Sequence, residues 1–155
     1  MRIRRFDDRD ADAVSGLIVR TLLTSCAADY APEPLEAFAR TQTPACMKRR
    51  GRETHFYVVE EAGTVVGCGA VGSDERDAAV CAVYSLYVLP ECQGRGVGRM
   101  IVETLLADEY ARRAKVILLH ASRTALGFYG RMGFVFRDGC DAPDADGLYE
   151  MEIRR

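Results

Sequence analysis

The sequence predicts a mixed α+β domain, a mostly antiparallel sheet with one parallel step near its middle and helices on its faces. Three observations carry that prediction. The chain has 155 residues, 48% hydrophobic and 28% charged, which suits one globular domain with a sizeable core. Two strand-like runs, His55–Glu60 and Val65–Val71, flank the turn Glu61-Ala62-Gly63-Thr64, and a third run, Ala79–Leu89, follows; short turns make such neighbours antiparallel. The third run then passes through a glycine-rich turn and a helix to another apolar run, Lys115–His120, and a strand–helix–strand crossover makes that pair parallel.

The elements follow in order. Ile3 to Phe6 reads as a first strand. Asp7, Asp8 and Asp10 open a helix, where carboxylates suit the positive end of the dipole. Ala13, Val14, Leu17, Ile18, Thr21 and Leu22 recur at helical spacing, so the helix runs from Asp10 to about Thr24. Tyr30-Ala31-Pro32-Glu33-Pro34 breaks it, and a second helix spans about Pro34 to Arg40. Lys48-Arg49-Arg50-Gly51-Arg52 is a basic cluster, read as a solvated loop. Gly67 and Gly69 in the hairpin's second strand permit a close backbone approach or a bulge. Ala79–Leu89 is almost uninterrupted apolar sequence, as a strand at the sheet's centre requires. The next helix is expected from Met100 to about Ala111, and a short one from Thr124 to Arg131. Gly133–Phe136 and Leu148–Ile153 are the last strands, separated by an acidic loop from Asp138 to Asp146. This makes six or seven strands and about four helices.

Composition excludes several classes. A formal net charge of −2 gives no general attraction to nucleic acid, and a binder built on Lys48–Arg52 is disfavoured for the same reason. No run of eighteen apolar residues is present, so no membrane span is expected. Met1-Arg2-Ile3-Arg4-Arg5-Phe6 lacks the apolar stretch of a signal peptide. Six scattered cysteines (Cys26, Cys46, Cys68, Cys81, Cys92, Cys140) form no Cys-x-x-Cys pair, and only His55 and His120 accompany them. No metal site and no disulfide framework is expected; reduced thiols in a cytoplasm fit this usage. Cys92 reads as a small buried residue, and His55 receives no role.

Leu86-Tyr87-Val88-Leu89-Pro90-Glu91-Cys92-Gln93-Gly94-Arg95-Gly96-Val97-Gly98-Arg99 is the stretch with chemistry in it. It reads as strand, proline stop, glycine turn and helix start. Glycines allow positive φ and close approach of a ligand to the backbone. The unbonded N–H groups of the helix start make an anion site, and Arg95 and Arg99 add charge-assisted donors for phosphate. It is neither a Walker loop, since no Gly-Lys-Ser/Thr follows, nor the Rossmann fingerprint, whose glycines are ordered differently. The turn reads as a pyrophosphate site, although glycine-rich strand-to-helix turns also serve as plain connectors.

With these residues in this order, nearly the whole chain resembles the GCN5-related N-acetyltransferase (GNAT) superfamily. Gln93-Gly94-Arg95-Gly96-Val97-Gly98 stands as that family's Gln/Arg-x-x-Gly-x-Gly/Ala loop. Ala125-Leu126-Gly127-Phe128-Tyr129-Gly130-Arg131-Met132-Gly133-Phe134 matches its Ala-x-x-Phe-Tyr-x-x-x-Gly-Phe segment. The resemblance implies the GNAT fold and acetyl-CoA (coenzyme A) as cosubstrate. The pyrophosphate would lie on Gln93, Gly94, Arg95, Gly96, Val97, Gly98 and Arg99, and the pantetheine arm would pair with Leu86, Tyr87 and Val88. Ser122 stands where relatives often carry asparagine, and it can still bond a pantetheine amide or water. Phe128 would pack on the cofactor or the core.

The resemblance also implies direct attack by the acceptor, the primary amine of a small molecule or peptide. The Val88 N–H would polarise the thioester carbonyl. Tyr129 is carried over as the acid that protonates the departing thiolate, a phenol being protonated at neutral pH. Many relatives place a glutamate on the strand before the glycine loop, and Ala79–Leu89 contains no carboxylate. His120 is the substitute by type, with Glu60 and Glu61 behind it. The missing carboxylate keeps a second reading open, a non-catalytic acyl-CoA sensor or partner module. The resemblance makes a homodimer through the C-terminal strands an expectation, and the cleft for the acceptor would be shaped by Thr24–Gly51 and Asp138–Gly147.

Overall fold

A computed structural model describes residues 1–155. The elements are β1 (Arg2–Arg5), α1 (Ala11–Thr24), α2 (Pro32–Thr41), α3 (Pro44–Glu53), β2 (His55–Glu61), β3 (Thr64–Ser73), β4 (Val80–Val88), α4 (Val97–Ala107), α5 (Glu109–Arg113), β5 (Val116–Ala121), α6 (Leu126–Arg131), β6 (Val135–Phe136) and β7 (Tyr149–Arg154). All seven strands join one sheet in the order β1-β2-β3-β4-β5-β7-β6. Only β4 and β5 are parallel. The mixed sheet with a single parallel step is thus as expected, with six helices rather than four.

Local chemistry explains the elements. Asp10 caps the approach to α1, accepting from the Asp7 N–H at 2.8 Å, and is held by Arg4 at 2.8 and 2.9 Å. The Arg4 hydrogen bond keeps this buried carboxyl below the usual carboxylate range. Ala62 and Gly63 both take positive φ, 49° and 79°, the two-residue turn whose twist matches a hairpin. Alternation sorts the sheet's side chains onto two cores. Val59, Val66, Val71, Ile117 and Leu119 meet α4 on one face, while Phe56, Val58, Cys68 and Ala70 meet α1–α3 on the other.

Two helices depart from the sequence reading. The basic cluster lies in α3, which starts at Pro44 and is capped by Thr43, whose hydroxyl accepts from Cys46 N at 3.2 Å. Met47 is its one fully buried side chain. The helix expected to reach Ala111 stops at Ala107, because Asp108 adopts an extended backbone (φ −65°, ψ 152°) and starts α5. The Asp108 carboxylate accepts from Tyr57 Oη at 2.6 Å, from Tyr110 N at 2.9 Å, and lies 2.9 Å from His55 Nδ1. Burial opposes its charge, but these hydrogen bonds outweigh it and lower its pKa. No helix is long and apolar enough to cross a membrane.

Candidate active site

The site begins where the sheet parts. β4 and β5 pair for only three positions, Val80↔Val116, Cys81↔Ile117 and Ala82↔Leu118. Beyond them β4 continues to Val88 beside β3, and β5 continues to Ala121 beside β7. The gap opens into a cleft of about 1010 Å³. Its walls include Leu86, Tyr87 and Val88 from β4, His120 from β5, and Phe128 and Tyr129 from α6, with Ser122 beside them. Gln93, Gly94, Gly96, Gly98 and Arg99 line one end. The fold therefore gathers most of the residues singled out from the sequence into one cavity.

Main-chain geometry sets what the β4 wall offers. The Leu89 N–H donates to Val66 O at 2.9 Å, so Leu89 faces β3. Antiparallel alternation then turns Val88's N–H and C=O the other way. The Val88 carbonyl is indeed met from that side, by Gln93 Nε2 at 3.0 Å and Thr21 Oγ1 at 3.4 Å. Gln93 also donates to Ser25 Oγ at 3.0 Å, so its side chain ties the loop to β4 and α1. The Val88 N–H is left directed to the gap.

The loop itself is a cradle. Gly94 and Gly96 have φ of 74° and 87°, and a methyl group placed on either would meet nothing within 4 Å. The space above them is open, and α4 starts there with Gly96 as its first cap. This open, left-handed turn at the start of an eleven-residue helix fits a diphosphate. Gly98 serves differently, since a methyl there would stand 3.1 Å from the Phe128 ring; its absence lets α6 close on α4. Two side chains of the loop lie away from the cleft. The Arg95 guanidinium is drawn to Glu61 at 2.8 Å and does not line the cleft. The Val97 side chain is 1% exposed and belongs to the core under the loop, so only its main chain can face a ligand. Arg99 lines the cleft and reaches Glu103 at 2.7 Å.

Two titratable groups face the gap from α6 and β5. Tyr129 packs edge-on against Phe128 and Phe134, with ring centroids 5.1 and 5.9 Å apart. Burial raises its phenol well above the ordinary tyrosine value. His120 lies across from Glu150 on β7, its Nε2 3.2 Å from Glu150 Oε1. Arg137 in turn reaches Glu150 at 3.5 Å and the buried Glu152 at 3.8 Å. The other carboxylates weighed from the sequence stand apart from the cleft. Glu60 is bound by Arg2 at 2.7 Å at the sheet's edge, and Glu61 by Arg95. His55 pairs with Asp108 and also does not line it. Cys92 is buried and 3.7 Å from Arg95.

Tyr30, Leu35, Phe38 and Asp146 line the cleft from within the two segments expected to shape it, and Tyr84, Ser85 and Leu148, not singled out from the sequence, line it too. Phe38 is 48% exposed although aromatic, and burial pushes the Tyr30 phenol up to about 12. Asp29 accepts from Thr124 Oγ1 at 2.6 Å and joins the segment after α1 to the segment before α6. No group of three or more His, Cys, Asp or Glu side chains is gathered where it could hold a metal ion.

A split central pair, a left-handed glycine turn at a helix start, and a buried tyrosine opposite define a class of acyl-carrier site, and comparison with known proteins agrees. The acetyltransferase (GNAT) domain model matches residues 52–136. Serotonin N-acetyltransferase 2, chloroplastic, of Oryza sativa subsp. japonica is 34% identical over 129 residues, covering 77% of this chain and 60% of that protein. An IAA acetyltransferase of Azospirillum brasilense is 29% identical over 102 residues, covering 63% and 66%. The chain thus spans under two thirds of the length of these curated relatives. Among solved structures, a PaiA N-acetyltransferase of Thermoplasma acidophilum, in complex with coenzyme A, shares the fold with a TM-score of 0.85 and 16% identity, over 99% of this chain and 98% of that one. The chain belongs to the GNAT acetyltransferase family.

Proposed function

We propose that this protein transfers the acetyl group of acetyl-CoA to the primary amine of a small molecule by direct attack. The observation that carries the reading is the β4–β5 split, with a glycine cradle at one end and Tyr129 and His120 on its walls. The names of the rice and Azospirillum relatives and the coenzyme A complex of the Thermoplasma neighbour support it. The loop main chain of Gly94–Gly98 and the Arg99 guanidinium would bind the diphosphate. The bound thioester supplies the acetyl group and a thiolate leaving group.

The chain's own groups then have defined tasks. The Val88 N–H, directed into the gap, stabilises negative charge developing on a carbonyl oxygen. Tyr129 keeps its proton through the neutral range, because burial raises its pKa, and delivers it to the departing sulfur. His120, held by Glu150, takes the proton that the amine must lose. Phe38, Tyr30 and Tyr84 give the acceptor side an aromatic wall, which favours amines with an apolar arm over free peptides.

Acetyl-CoA and a panel of arylalkyl, alkyl and peptide amines, monitored by release of free thiol, test this. Thiol release with an aromatic amine supports the reading. Release only with peptides overturns the acceptor class. Coenzyme A binding by calorimetry without turnover on any amine makes the chain a non-catalytic acyl-CoA-binding module.

A further inference from the structure

We infer that Arg50, Ser85 and Cys68 form a latch that fixes a bulge in β4, and that Arg50 is thereby a positioning residue for the cleft. The inference concerns the β4 wall itself; only its kinetic arm rests on the acyl-transfer reading.

The bulge is visible in the register. Ala70 faces Tyr84 and Cys68 faces Tyr87. Gly69 alone lies between on β3, whereas Ser85 and Leu86 lie between on β4. One extra residue in a strand bends it and reverses which of the following residues point to each side. That reversal decides that Val88, and not its neighbours, presents its N–H to the gap. Ser85 carries the distortion, with φ of 49°. A serine has no glycine-like freedom there, and such a backbone state persists only where the surroundings over-determine it.

Two contacts supply that determination. The Arg50 guanidinium donates to Ser85 Oγ, crossing from α3 to β4. Cys68 Sγ donates to Ser85 O at 3.3 Å from β3. Both anchors are fixed in turn. The Arg50 carbonyl accepts from Thr54 N at 2.9 Å and Thr54 Oγ1 at 2.7 Å. Cys68 is fully buried, and burial pushes its thiol up to about 12, so it stays a donor. Arg50 is also the odd member of the basic cluster. Lys48, Arg49 and Arg52 are exposed, while Arg50 is half-buried with its charge turned toward the sheet.

The test compares Arg50→Met, Arg50→Lys and Ser85→Ala, each confirmed folded by circular dichroism. Amide hydrogen exchange in the free protein reads the latch without any turnover. Steady-state kinetics read its consequence. Arg50→Met is expected to speed exchange of the Tyr87 and Leu89 amides at least tenfold while leaving β7 unchanged. It is expected to lower kcat at least tenfold with KM for acetyl-CoA within threefold. Arg50→Lys, which keeps a donor, recovers most of both. Ser85→Ala matches Arg50→Met, and the double variant is no worse than either single one. Should Arg50→Met fail to fold, Ser85→Ala, which removes one oxygen, carries the same expectation. Unchanged exchange in Ser85→Ala overturns the latch. Faster exchange with unaltered kcat overturns the positioning role, and losses that multiply in the double variant overturn the pairing. If the unaltered protein turned over no amine, the acyl-transfer reading would fail while exchange still decided the latch.

Discussion

Gly69→Ala is a small change with a large expected effect. A methyl group on Gly69 would stand 2.5 Å from Ile101 Cγ2 and 3.2 Å from Leu105 Cδ1. Carbon atoms pack at about 3.5–4.0 Å, so about 1 Å must be found. The Leu105 methyl is the end of a flexible side chain and can yield. Ile101 Cγ2 is bonded directly to Cβ, and a β-branched side chain in a helix has one strongly preferred χ1. Ile101 is fully buried, so the clash is relieved only by moving α4 off β3. Overpacking of this kind costs about 1–3 kcal/mol. In a chain of this length each kcal/mol lowers Tm by about 2–4 °C. Because α4 starts at the glycine cradle, the same shift disturbs the site, and about 1 Å of misplacement costs about 10²-fold in rate. Urea unfolding gives the stability, and thiol-release kinetics give the rate. Gly16→Ala is the control. Gly16 lies on the exposed face of α1 with nothing within 4 Å of an added methyl, and the change there stabilises by about 0.4–1 kcal/mol. A Gly69→Ala protein within about 0.5 kcal/mol of the parent, with unaltered kinetics, would refute the packing argument.

The other predictions concern the site and its support. Tyr129→Phe should lower kcat by about 10²-fold or more while acetyl-CoA affinity stays within a few-fold; equal activity removes the tyrosine from proton transfer. Gly96→Val puts a β-branched residue at φ 87° and should abolish coenzyme A binding in calorimetry, intact binding being the refuting result. Asp108→Ala removes the cap of α5 and strips the Tyr57 hydroxyl and the Tyr110 amide of their acceptor, costing about 1–3 kcal/mol. The sign of its pH dependence follows from the lowered pKa of Asp108. Its contribution is complete above the unfolded aspartate value of about 3.9 and is lost as pH falls through the folded value. Acid unfolding followed by circular dichroism should therefore be shallower in Asp108→Asn; an identical slope would show that the carboxylate does not carry it.

What could be read from the sequence was what local pattern determines. The apolar run Val80–Val88, the Ala62-Gly63 turn and the glycine loop announce themselves by hydrophobicity and φ requirements within a few residues. The third helix did not, because Pro44–Glu53 buries little beyond Met47 and its charges read as loop. The stop at Asp108 carries no glycine or proline; it is made by Tyr57 and His55, some fifty residues earlier in the chain. Arg95 reads as a phosphate donor until Glu61 is known to lie beside it. Glu150 gains meaning only from the β5–β7 register that sets it across from His120. Ser85 gives no signal at all, since nothing in a strand-like run marks the residue that will take positive φ.

The cleft is shaped less by its reactive residues than by the absence of side chains behind them. Gly67 and Gly69 let Val97, Ile101 and Leu105 settle directly on β3, where a methyl at Gly67 would stand 2.9 Å from Val97 Cγ1. The crossover helix α4 is thereby drawn down onto β3. Beyond Ala82 the seam between β4 and β5 is open; β5 pairs with β7 along its whole length, so the main-chain groups that β4 and β5 turn toward each other there have no strand partner. The seam is held at its far end instead, where Gly98 admits Phe128 against the first turn of α4 and brings Tyr129 over the opening. A ligand with amides spaced along an extended arm is the partner such an edge lacks. On this account, filling Gly98 with a larger residue should widen the gap between α4 and α6. Gly98→Val is then expected to weaken coenzyme A binding even though Gly98 needs no special φ. Undiminished binding by that variant would mean that the two helices are not held together by the contact at Phe128.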